Sequence, residues 1–269
     1  PPSPAVRAPC PASSCFVFSY LHIIVKTQLF VKGTRCTQGA IVLKSGQSAP
    51  CAARFAKKGE YLFMKVLLIN GSPHEKGCTY TALSLIAGEL NASGIETEIL
   101  NVGTKPVGGC IGCGGCAAGK GCVFGGVVNE AIEKAKTADA FVFGTPVHYA
   151  SASGNMTSFM DRLAYAGGKY LAYKPAAICA SARRAGTTTT LDQLVKYPEF
   201  FHMPLVSGSY WPMVHGSKPE QVLEDEEGCA VMRELGRNMA WLLRCIELGK
   251  ANGITHPENP RRPMTNFIR

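Results

Sequence analysis

The sequence contains a glycine-rich segment with four closely spaced cysteines, Cys110, Cys113, Cys116 and Cys122. Four thiolates within 13 residues suit a [4Fe–4S] cluster, because short Cys-x2-Cys spacings recur in cluster-binding loops and glycines let the backbone fold tightly around a compact ligand. Reduced or redox-active thiols remain an open alternative. Zinc is disfavoured, since it usually binds four cysteines as two separated pairs.

A second segment with the residue types of a binding site follows the apolar run from Val66 to Ile69. Such a run is typical of a buried parallel strand, and a helix that begins shortly after it directs unpaired N–H groups toward the connecting loop. The loop lacks the glycine patterns of nucleoside triphosphatases and of dinucleotide-binding folds. With hydroxyls at Ser72, Thr79 and Thr81 it predicts a site for one phosphate monoester. The alternative is an ordinary capped turn.

Two later loops, residues 145–154 and 181–190, also carry small and hydroxyl residues. The first combines the rigid Pro146 with Tyr149, which gives a surface that can lie against a flat ring. The second contains Arg183 and Arg184, of which one could bind a negative charge, with a surface salt bridge as the alternative. His148 belongs either to the site or to the structural framework.

These loops need a scaffold that brings them to one edge, and the alternation of apolar runs predicts it. Strands are predicted at residues 66–69, 96–100, 140–143, 176–180 and 204–207, and helices at residues 78–92, 127–137, 155–165, 188–197 and 219–250. The alternation predicts an α/β fold with a doubly wound, five-stranded parallel sheet between two layers of helices. Ligands of such sheets bind beyond the carboxyl ends of the strands, where the three loops lie.

Three motifs in this order resemble the NADPH-dependent FMN reductase family of the flavodoxin-like fold: Gly71-Ser72-Pro73, then Pro146-Val147-His148 with Gly154, then Asp161-Arg162. The cysteine array resembles that of the iron-sulfur flavoprotein branch. The resemblance covers residues 64–269 and implies FMN along the three loops. The implied FMN-binding residues are Ser72, His74, Gly77, Cys78, Thr79 and Thr81 at the phosphate, Pro146, Val147, His148, Tyr149 and Gly154 along the isoalloxazine, and Ser181, Arg183 and Gly186 at the pyrimidine edge. The implied cluster ligands are Cys110, Cys113, Cys116 and Cys122.

Relatives often carry Arg at position 74 and Asn at position 78, where this chain has His74 and Cys78. The resemblance implies an FMN-dependent NAD(P)H oxidoreductase that passes electrons to a quinone, nitroaromatic, flavin or similar small-molecule acceptor. No catalytic acid or base is expected, because the flavin carries the chemistry. The alternatives are an electron carrier with a [4Fe–4S] cluster and ferredoxin-type partners, and a binding module without flavin. A homodimer or homotetramer is also implied.

The charge pattern separates the first 63 residues from the rest. Residues 1–63 carry eight Lys/Arg and one acid, whereas residues 64–269 carry 20 basic and 18 acidic residues, a net charge of only +2. The main part of the chain therefore gives no sign of nucleic-acid binding. Residues 1–63 are expected to be upstream sequence read in frame before a start at Met64. A targeting segment, whose apolar stretch is too short to span a membrane, is the alternative.

Residues 64–250 are then the flavodoxin-like FMN-binding domain, and residues 251–269 a C-terminal tail. The cysteines indicate a reduced, cytoplasmic protein rather than a disulfide framework, because four of the twelve are clustered and no convincing signal peptide precedes them. The isolated Cys179, Cys229 and Cys245 are expected to fill the core.

Overall fold

The computed structural model describes residues 63–260 and 263–265. The hypotheses about residues 1–63 therefore concern a segment that lies, except for Phe63, outside the described residues. The strands are β1 (Lys65–Asn70), β2 (Glu96–Asn101), β3 (Ala140–His148), β4 (Ser151–Ala152), β5 (Ala176–Ala182) and β6 (Met213–His215). The helices are α1 (Cys78–Ala92), α2 (Val127–Thr137), α3 (Gly154–Gly167), α4 (Thr187–Phe200), α5 (Pro219–Glu224) and α6 (Glu226–Ala251), with short 3-10 turns at Gly115–Ala118 and Gly168–Tyr170.

Five of these strands form a parallel sheet in the order β2-β1-β3-β5-β6, which confirms the predicted five-stranded α/β fold. The two-residue β4 pairs antiparallel with the end of β3 and forms a hairpin at the carboxyl edge. Because the parallel strands run in one direction, the loops after β1, β3 and β5 all leave the sheet at this edge.

The strand predicted at residues 204–207 is wrong. In that segment only Leu205 bridges to the sheet, opposite Ala176, and the fifth parallel strand is β6. Leu205 lies opposite Ala176 and Met213 lies opposite Ala180. The chain therefore uses eight residues over a distance that β5 covers in four. The surplus residues therefore leave the sheet edge before the chain returns to it.

The sheet is covered on both faces, as the predicted three-layer arrangement requires. Val66 and Leu68 pack against α1 and α6, whereas Leu67 and Ile69 pack against the layer of α2, α3 and α4. Alternate residues of a strand face opposite sides of a sheet, so one continuous apolar run supplies both cores. All four side chains are fully buried, and burial of each stabilises the fold by about 1.5–3 kcal/mol.

The helix predicted at residues 219–250 is divided at Asp225. The Asp225 carboxylate accepts hydrogen bonds from the backbone N–H of Gly228 (2.9 Å) and of His215 (2.8 Å), so it caps α6 and ties this helix to β6. An aspartate that bonds the backbone in this way favours a helix start over a helix interior. No helix of the described residues has both the length and the apolar character needed to cross a membrane.

The chain beyond α6 packs partly on the surface of the domain, at the amino end of β5. The Tyr173 ring stacks between the rings of His202 (5.3 Å between centroids) and His256 (4.3 Å), and the Asn259 side-chain amide donates to the Tyr173 hydroxyl (2.7 Å). These contacts lie at the opposite end of the sheet from the predicted site.

Candidate functional site

The loop after β1 is held in shape by Asn70, a fully buried side chain at the end of the strand. Its amide donates to the carbonyl of Glu75 (3.1 Å) and to Asn101 Oδ1 (2.8 Å), and its Oδ1 accepts the N–H of Ser72 (3.1 Å). One side chain thus fixes both halves of the loop and the end of β2. The loop backbone is positioned before any ligand arrives.

This loop leads to the N-terminus of α1, which carries the properties of an anion site. Gly77 at the N-cap provides no capping side chain, and the first turn contains no acidic residue. The Ser72 hydroxyl is nearly buried and accepts the N–H of His74 (3.1 Å), while no described residue accepts its proton. Unpaired helix N–H groups and a free hydroxyl proton are suitable partners for a phosphate.

The other predicted phosphate residues play different parts in this corner. Thr79 is buried, and its hydroxyl shares a 2.7 Å hydrogen bond with the hydroxyl of Ser181, which ties α1 to β5. The Thr81 hydroxyl donates to the carbonyl of Gly77 (3.3 Å). Cys78 donates its S–H to the carbonyl of Gly216 (3.4 Å), and burial raises the pKa of this thiol. The thiol therefore stays neutral and adds no negative charge beside the anion site.

The second loop is a tight hairpin between β3 and β4. Tyr149 and Ala150 occupy its turn with φ angles of 50° and 59°, a left-handed conformation that costs each non-glycine residue about 1 to 2 kcal/mol. The turn leaves the Tyr149 side chain completely exposed. Ser151 and Ala152 hold the hairpin through hydrogen bonds from the Ser151 hydroxyl (2.8 Å) and the Ala152 N–H (2.9 Å) to Gln193 Oε1 on α4.

A cavity of about 300 Å³ lies between the first and second loops. It is lined by Gly71, Pro73, His148, Ser153, Gly154 and Asn155. A side chain added at Gly154 would meet no atom within 4 Å, so its Cβ position is open space. Pro146 and Val147 are partly buried behind the exposed His148. Of the predicted ring-binding residues, His148 and Gly154 line this cavity, whereas Pro146, Val147 and Tyr149 do not.

The third loop closes against this hairpin at Gly186, which has a φ of 92°. A Cβ at this position would lie 2.6 Å from Cα of Ala150, so both its conformation and its contact require glycine. Gly186 also begins α4 without a side-chain cap and without an acid in the first turn. Arg183 and Arg184 are exposed and form no ion pair with any described residue, so the salt-bridge alternative does not hold within this part of the chain.

The four clustered cysteines lie in the long connection between β2 and α2, residues 102–126, called the cysteine loop below. Cys110 and Cys113 are exposed, whereas Cys116 and Cys122 are partly buried. All four line one cavity of about 250 Å³, together with Ile111, Phe124 and Tyr165 among others. Within residues 63–260 and 263–265, no three Cys, His, Asp or Glu side chains converge closely enough to hold a single metal ion. The arrangement gives zinc no ready-made tetrahedral site.

Arg162 on α3 lines the same cavity and is almost fully buried. Its Nε donates to Sγ of Cys122 (3.2 Å), and its two terminal nitrogens donate to the carbonyls of Gly108 (3.3 Å) and Gly125 (3.0 Å). No described carboxylate pairs with this guanidinium. A buried positive charge normally requires a partner of opposite charge, and here its sulfur neighbour is one of the four clustered cysteines.

Cys122 is also fixed through its backbone. The Asn129 side chain accepts the Cys122 N–H (2.8 Å) and donates to the Cys122 carbonyl (3.0 Å). The preceding Gly121 has a φ of 84°, and a Cβ there would approach Asn129 Oδ1 to 2.9 Å. Together with the bond from the Gly125 N–H to its carbonyl (2.9 Å), Cys122 is held by four hydrogen bonds, whereas Cys110 and Cys113 are exposed.

Several residues that build these sites escaped the sequence interpretation. Asn70, Asn129 and Gln193 act through hydrogen bonds whose partners depend on the folded backbone, and a lone asparagine or glutamine in the sequence does not indicate them. Arg162 belongs to the Asp161-Arg162 motif, but the spacing of that motif does not indicate its contact with the cysteine loop. Of the isolated cysteines predicted to fill the core, Cys179 and Cys229 are buried, but Cys245 is exposed on α6 because it faces outward from the helix.

The residues present fit both groups that the resemblance implies. For FMN, the uncapped N-terminus of α1 and the Ser72 hydroxyl provide donors for a phosphate, and the adjoining cavity with its open Gly154 can receive part of a ring. For an iron-sulfur cluster, four cysteines line one cavity beside a buried cation that lacks a carboxylate. Both centres are supported by α3, from Gly154 to Arg162, a rise of about 12 Å along the helix.

Comparison with known proteins identifies the family of the chain. The model of the NADPH-dependent FMN reductase family matches residues 64–218. An iron-sulfur flavoprotein of Methanocaldococcus jannaschii is 30% identical over 193 residues, which are 68% of this chain and 100% of that protein. An iron-sulfur flavoprotein of Archaeoglobus fulgidus is 30% identical over 196 residues, 70% of this chain and 96% of that protein.

Among solved structures, an NAD(P)H:quinone oxidoreductase from Methanothermobacter marburgensis superposes with a TM-score of 0.52 at 17% identity. The superposition covers 66% of this chain and 96% of that one. At this level of identity the likeness shows the flavodoxin-like fold alone.

Proposed function

Because the chain belongs to the NADPH-dependent FMN reductase family and is similar to its iron-sulfur flavoproteins, we propose that it is an FMN-dependent oxidoreductase with NAD(P)H as electron donor. The electron acceptor is a small molecule such as a quinone, a nitroaromatic or a second flavin. Bound FMN would supply the electron-transfer chemistry. The protein itself binds and orients the cofactor, and no side chain is needed as a catalytic acid or base.

The observation that carries this proposal is the cavity between the loop after β1 and the start of α3, together with the uncapped N-terminus of α1 to which that loop leads. The phosphate would be held by the free N–H groups of α1 and by Ser72, and Gly77 lets the anion approach the backbone. The ring would lie against Pro146 to Tyr149, over Gly154. Arg183 and Arg184 are unpaired cations at the same edge, and one of them would bind negative charge on the flavin or a phosphate of NADPH.

FMN binding is tested by titrating the flavin-free protein with FMN and following the quenching of flavin fluorescence. Gly154→Leu fills the open space of the cavity, and we expect it to weaken FMN binding by at least tenfold. Gly88→Leu is a matched control, because Gly88 is an exposed glycine of α1 that also has no atom within 4 Å of its Cβ position. Equal affinity in the two variants would place the flavin elsewhere, and no FMN binding by the parent protein would contradict the proposal.

The donor is tested separately on the FMN-loaded protein under anaerobic conditions. We expect NADPH or NADH to bleach the flavin absorbance within seconds, and a quinone to restore it. Flavin that is not bleached by either nucleotide, but is bleached by a reduced ferredoxin, would overturn the choice of donor and leave FMN binding intact.

The second candidate function is an electron carrier that holds a [4Fe–4S] cluster on Cys110, Cys113, Cys116 and Cys122. The observation that favours it is their common cavity and the contact of Arg162 with Cys122, since a buried cation offsets part of the negative charge of four thiolates. The exposed Ile111, Phe124 and Tyr165 around the cavity provide an apolar rim for a protein partner, either a ferredoxin or a second copy of this chain.

Anaerobic purification followed by iron and acid-labile sulfide assays tests this candidate. A cluster predicts about four iron and four sulfide per chain, and Cys116→Ser should lower both. Cys245→Ser is the matched control, because Cys245 is an exposed cysteine outside the loop. Iron-free protein with four titratable thiols in the loop would contradict this candidate function, and the protein would then have the flavin as its one redox centre.

A further inference from the structure

A separate opening in the sheet lies beside β5, away from the loops described above. At Ala176 both backbone groups of β5 are bonded across this edge: its N–H donates to the carbonyl of Pro204 (2.9 Å), and its carbonyl accepts the N–H of Val206 (2.8 Å). Four residues further on, the Ala180 N–H donates to the carbonyl of Pro212 (3.0 Å). Between these two points the segment that follows Val206 lies away from the edge of β5.

Ile178 lies in this gap. Because alternate residues of a parallel strand bond to the same neighbour, its N–H and C=O point to the same edge as those of Ala176 and Ala180. No hydrogen bond from the described residues reaches either group on this side. The residue is nevertheless only 5% exposed. Buried backbone N–H and C=O groups are rarely left without hydrogen-bond partners, since an unsatisfied group loses its hydration without replacing it.

The gap opens into a cavity of about 500 Å³ between β5, α4 and the segment of residues 205–212. Its walls are mainly apolar, with Leu191, Val195 and Leu205 among them. Trp211 and Tyr210 stand edge to face at its rim, with their ring centroids 4.7 Å apart. A cavity of this volume with aromatic walls and a few convergent polar groups is typical of small-molecule sites.

The shape of the opening restricts what can bind. Only one residue of β5 is free between its bonds at Ala176 and Ala180, so an added peptide strand finds no ladder to continue. A single lactam or imide group, whose N–H and C=O lie side by side, matches one free C=O and one free N–H. The lining side chains include the carboxylate of Asp192 and no basic residue, which favours a neutral ligand over an anionic one.

We propose that this cavity is a binding site for a neutral, planar aromatic molecule that carries one cis-amide (lactam or imide) edge, paired with the backbone of Ile178. The site is distinct from the flavin corner: Ile178 precedes Ser181 by three residues on β5, a distance of about 10 Å. The proposal does not depend on FMN or on the cysteine loop.

The test uses 2-quinolone, a bicyclic lactam, and N-methyl-2-quinolone, which keeps the ring and carbonyl but lacks the N–H. Calorimetric titration of the purified full chain should give at least tenfold weaker binding for the methylated compound. The chain has two tryptophans, Trp211 and Trp241, so the indole N–H signals in a nitrogen-correlated NMR spectrum report the position. The Trp211 signal should shift on binding, and that of the exposed Trp241 on α6 should not.

Variants distinguish this site from non-specific binding. Val195→Phe fills the cavity and should abolish binding of 2-quinolone, whereas Lys196→Ala, the exposed neighbour on α4, should leave it unchanged. Equal affinity of the two compounds, binding that survives Val195→Phe, or the absence of saturable binding would each overturn the proposal. Self-association that Val195→Phe abolishes would overturn it in favour of a contact between copies of the chain.

Discussion

Replacing Arg162 with methionine should loosen the cysteine loop while leaving the sheet folded. The guanidinium supplies three hydrogen bonds, to Cys122 Sγ and to the carbonyls of Gly108 and Gly125, and methionine supplies none. Gly108 is exposed, so water can replace its lost bond. The other two acceptors are partly buried, and each loses a bond from a charged donor worth about 1.5 kcal/mol or more.

The free energy of opening the loop should therefore fall by about 2–3 kcal/mol, with allowance for partial hydration. Since 1.4 kcal/mol corresponds to a factor of ten, loop amides should exchange with solvent roughly 30 to 150 times faster. The reporters are the N–H of Cys122, bonded to Asn129, and the N–H of Gly125, bonded to the Cys122 carbonyl (2.9 Å). The reference is Val142 in the core of β3, whose exchange should change little.

Two further variants separate charge from shape. Arg162→Lys keeps the positive charge but lacks the planar fork, so it should recover part of the protection and not all of it. Lys196→Met removes an exposed cation of α4 and should have no effect on the loop. Unchanged exchange at Cys122 and Gly125 in Arg162→Met would refute the reasoning, because it would mean that the loop is held without the guanidinium. In a cluster-bearing protein, Arg162→Met should also change the reduction potential, while Lys196→Met should not.

Three other perturbations test the framework around the site. Asn70→Asp replaces the amide donor by a second acceptor, and it should lower the free energy of unfolding in urea by about 2–4 kcal/mol and weaken FMN binding. Ala150→Gly relieves a positive φ in the hairpin and should raise stability by about 0.5 kcal/mol, after the flexibility of glycine in the unfolded chain is subtracted, as a rise in Tm would show. Hydrogen bonds from Lys134 and Lys65 hold the pKa of Glu98 below its ordinary value of 4.5, so the stabilisation by Glu98 is fully present above that value and is lost as the pH falls through the lower folded pKa. Urea denaturation of Glu98→Gln should accordingly show a deficit of about 1 kcal/mol at pH 7 that shrinks in acid.

The sequence predicts the elements of this fold best where burial alone decides them. The bounds predicted for α1 and α2 agree with the structure, and the apolar runs at β1, β3 and β5 mark the three buried strands. The failure at residues 204–207 has a physical cause. Val206 packs into the core beneath α1 and α6 and so has the hydrophobicity of a strand residue, although the backbone leaves the sheet directly after its N–H bonds to Ala176. Apolar burial usually marks a run of ladder pairs, and here it accompanies a single bridge.

The sequence predicts which loops form the candidate site. It does not predict the hydrogen bonds that hold those loops in place. Parallel topology alone places the loops after β1, β3 and β5 at one edge, so the sequence is enough to assign their residue types to one site. What holds those loops is a set of hydrogen bonds made by polar side chains. The Asn70 amide and the Thr79–Ser181 hydroxyl pair are examples, and each depends on a register that only the folded chain reveals.

The cysteine loop and the flavin cavity share one support, and this sharing follows from helix geometry. Asn155 and Arg162 are seven residues apart on α3, so they lie on the same face of the helix. Asn155 bonds the start of the cysteine loop, through its amide to the Gly103 carbonyl (2.9 Å) and through its Oδ1 to the Val107 N–H (3.1 Å), while also lining the cavity. Arg162 bonds the rest of the loop two turns later. A connection of 25 residues, far longer than most loops in compact domains, is thus tied near both of its ends to one face of α3, and that helix begins in the cavity where the flavin ring is proposed to lie.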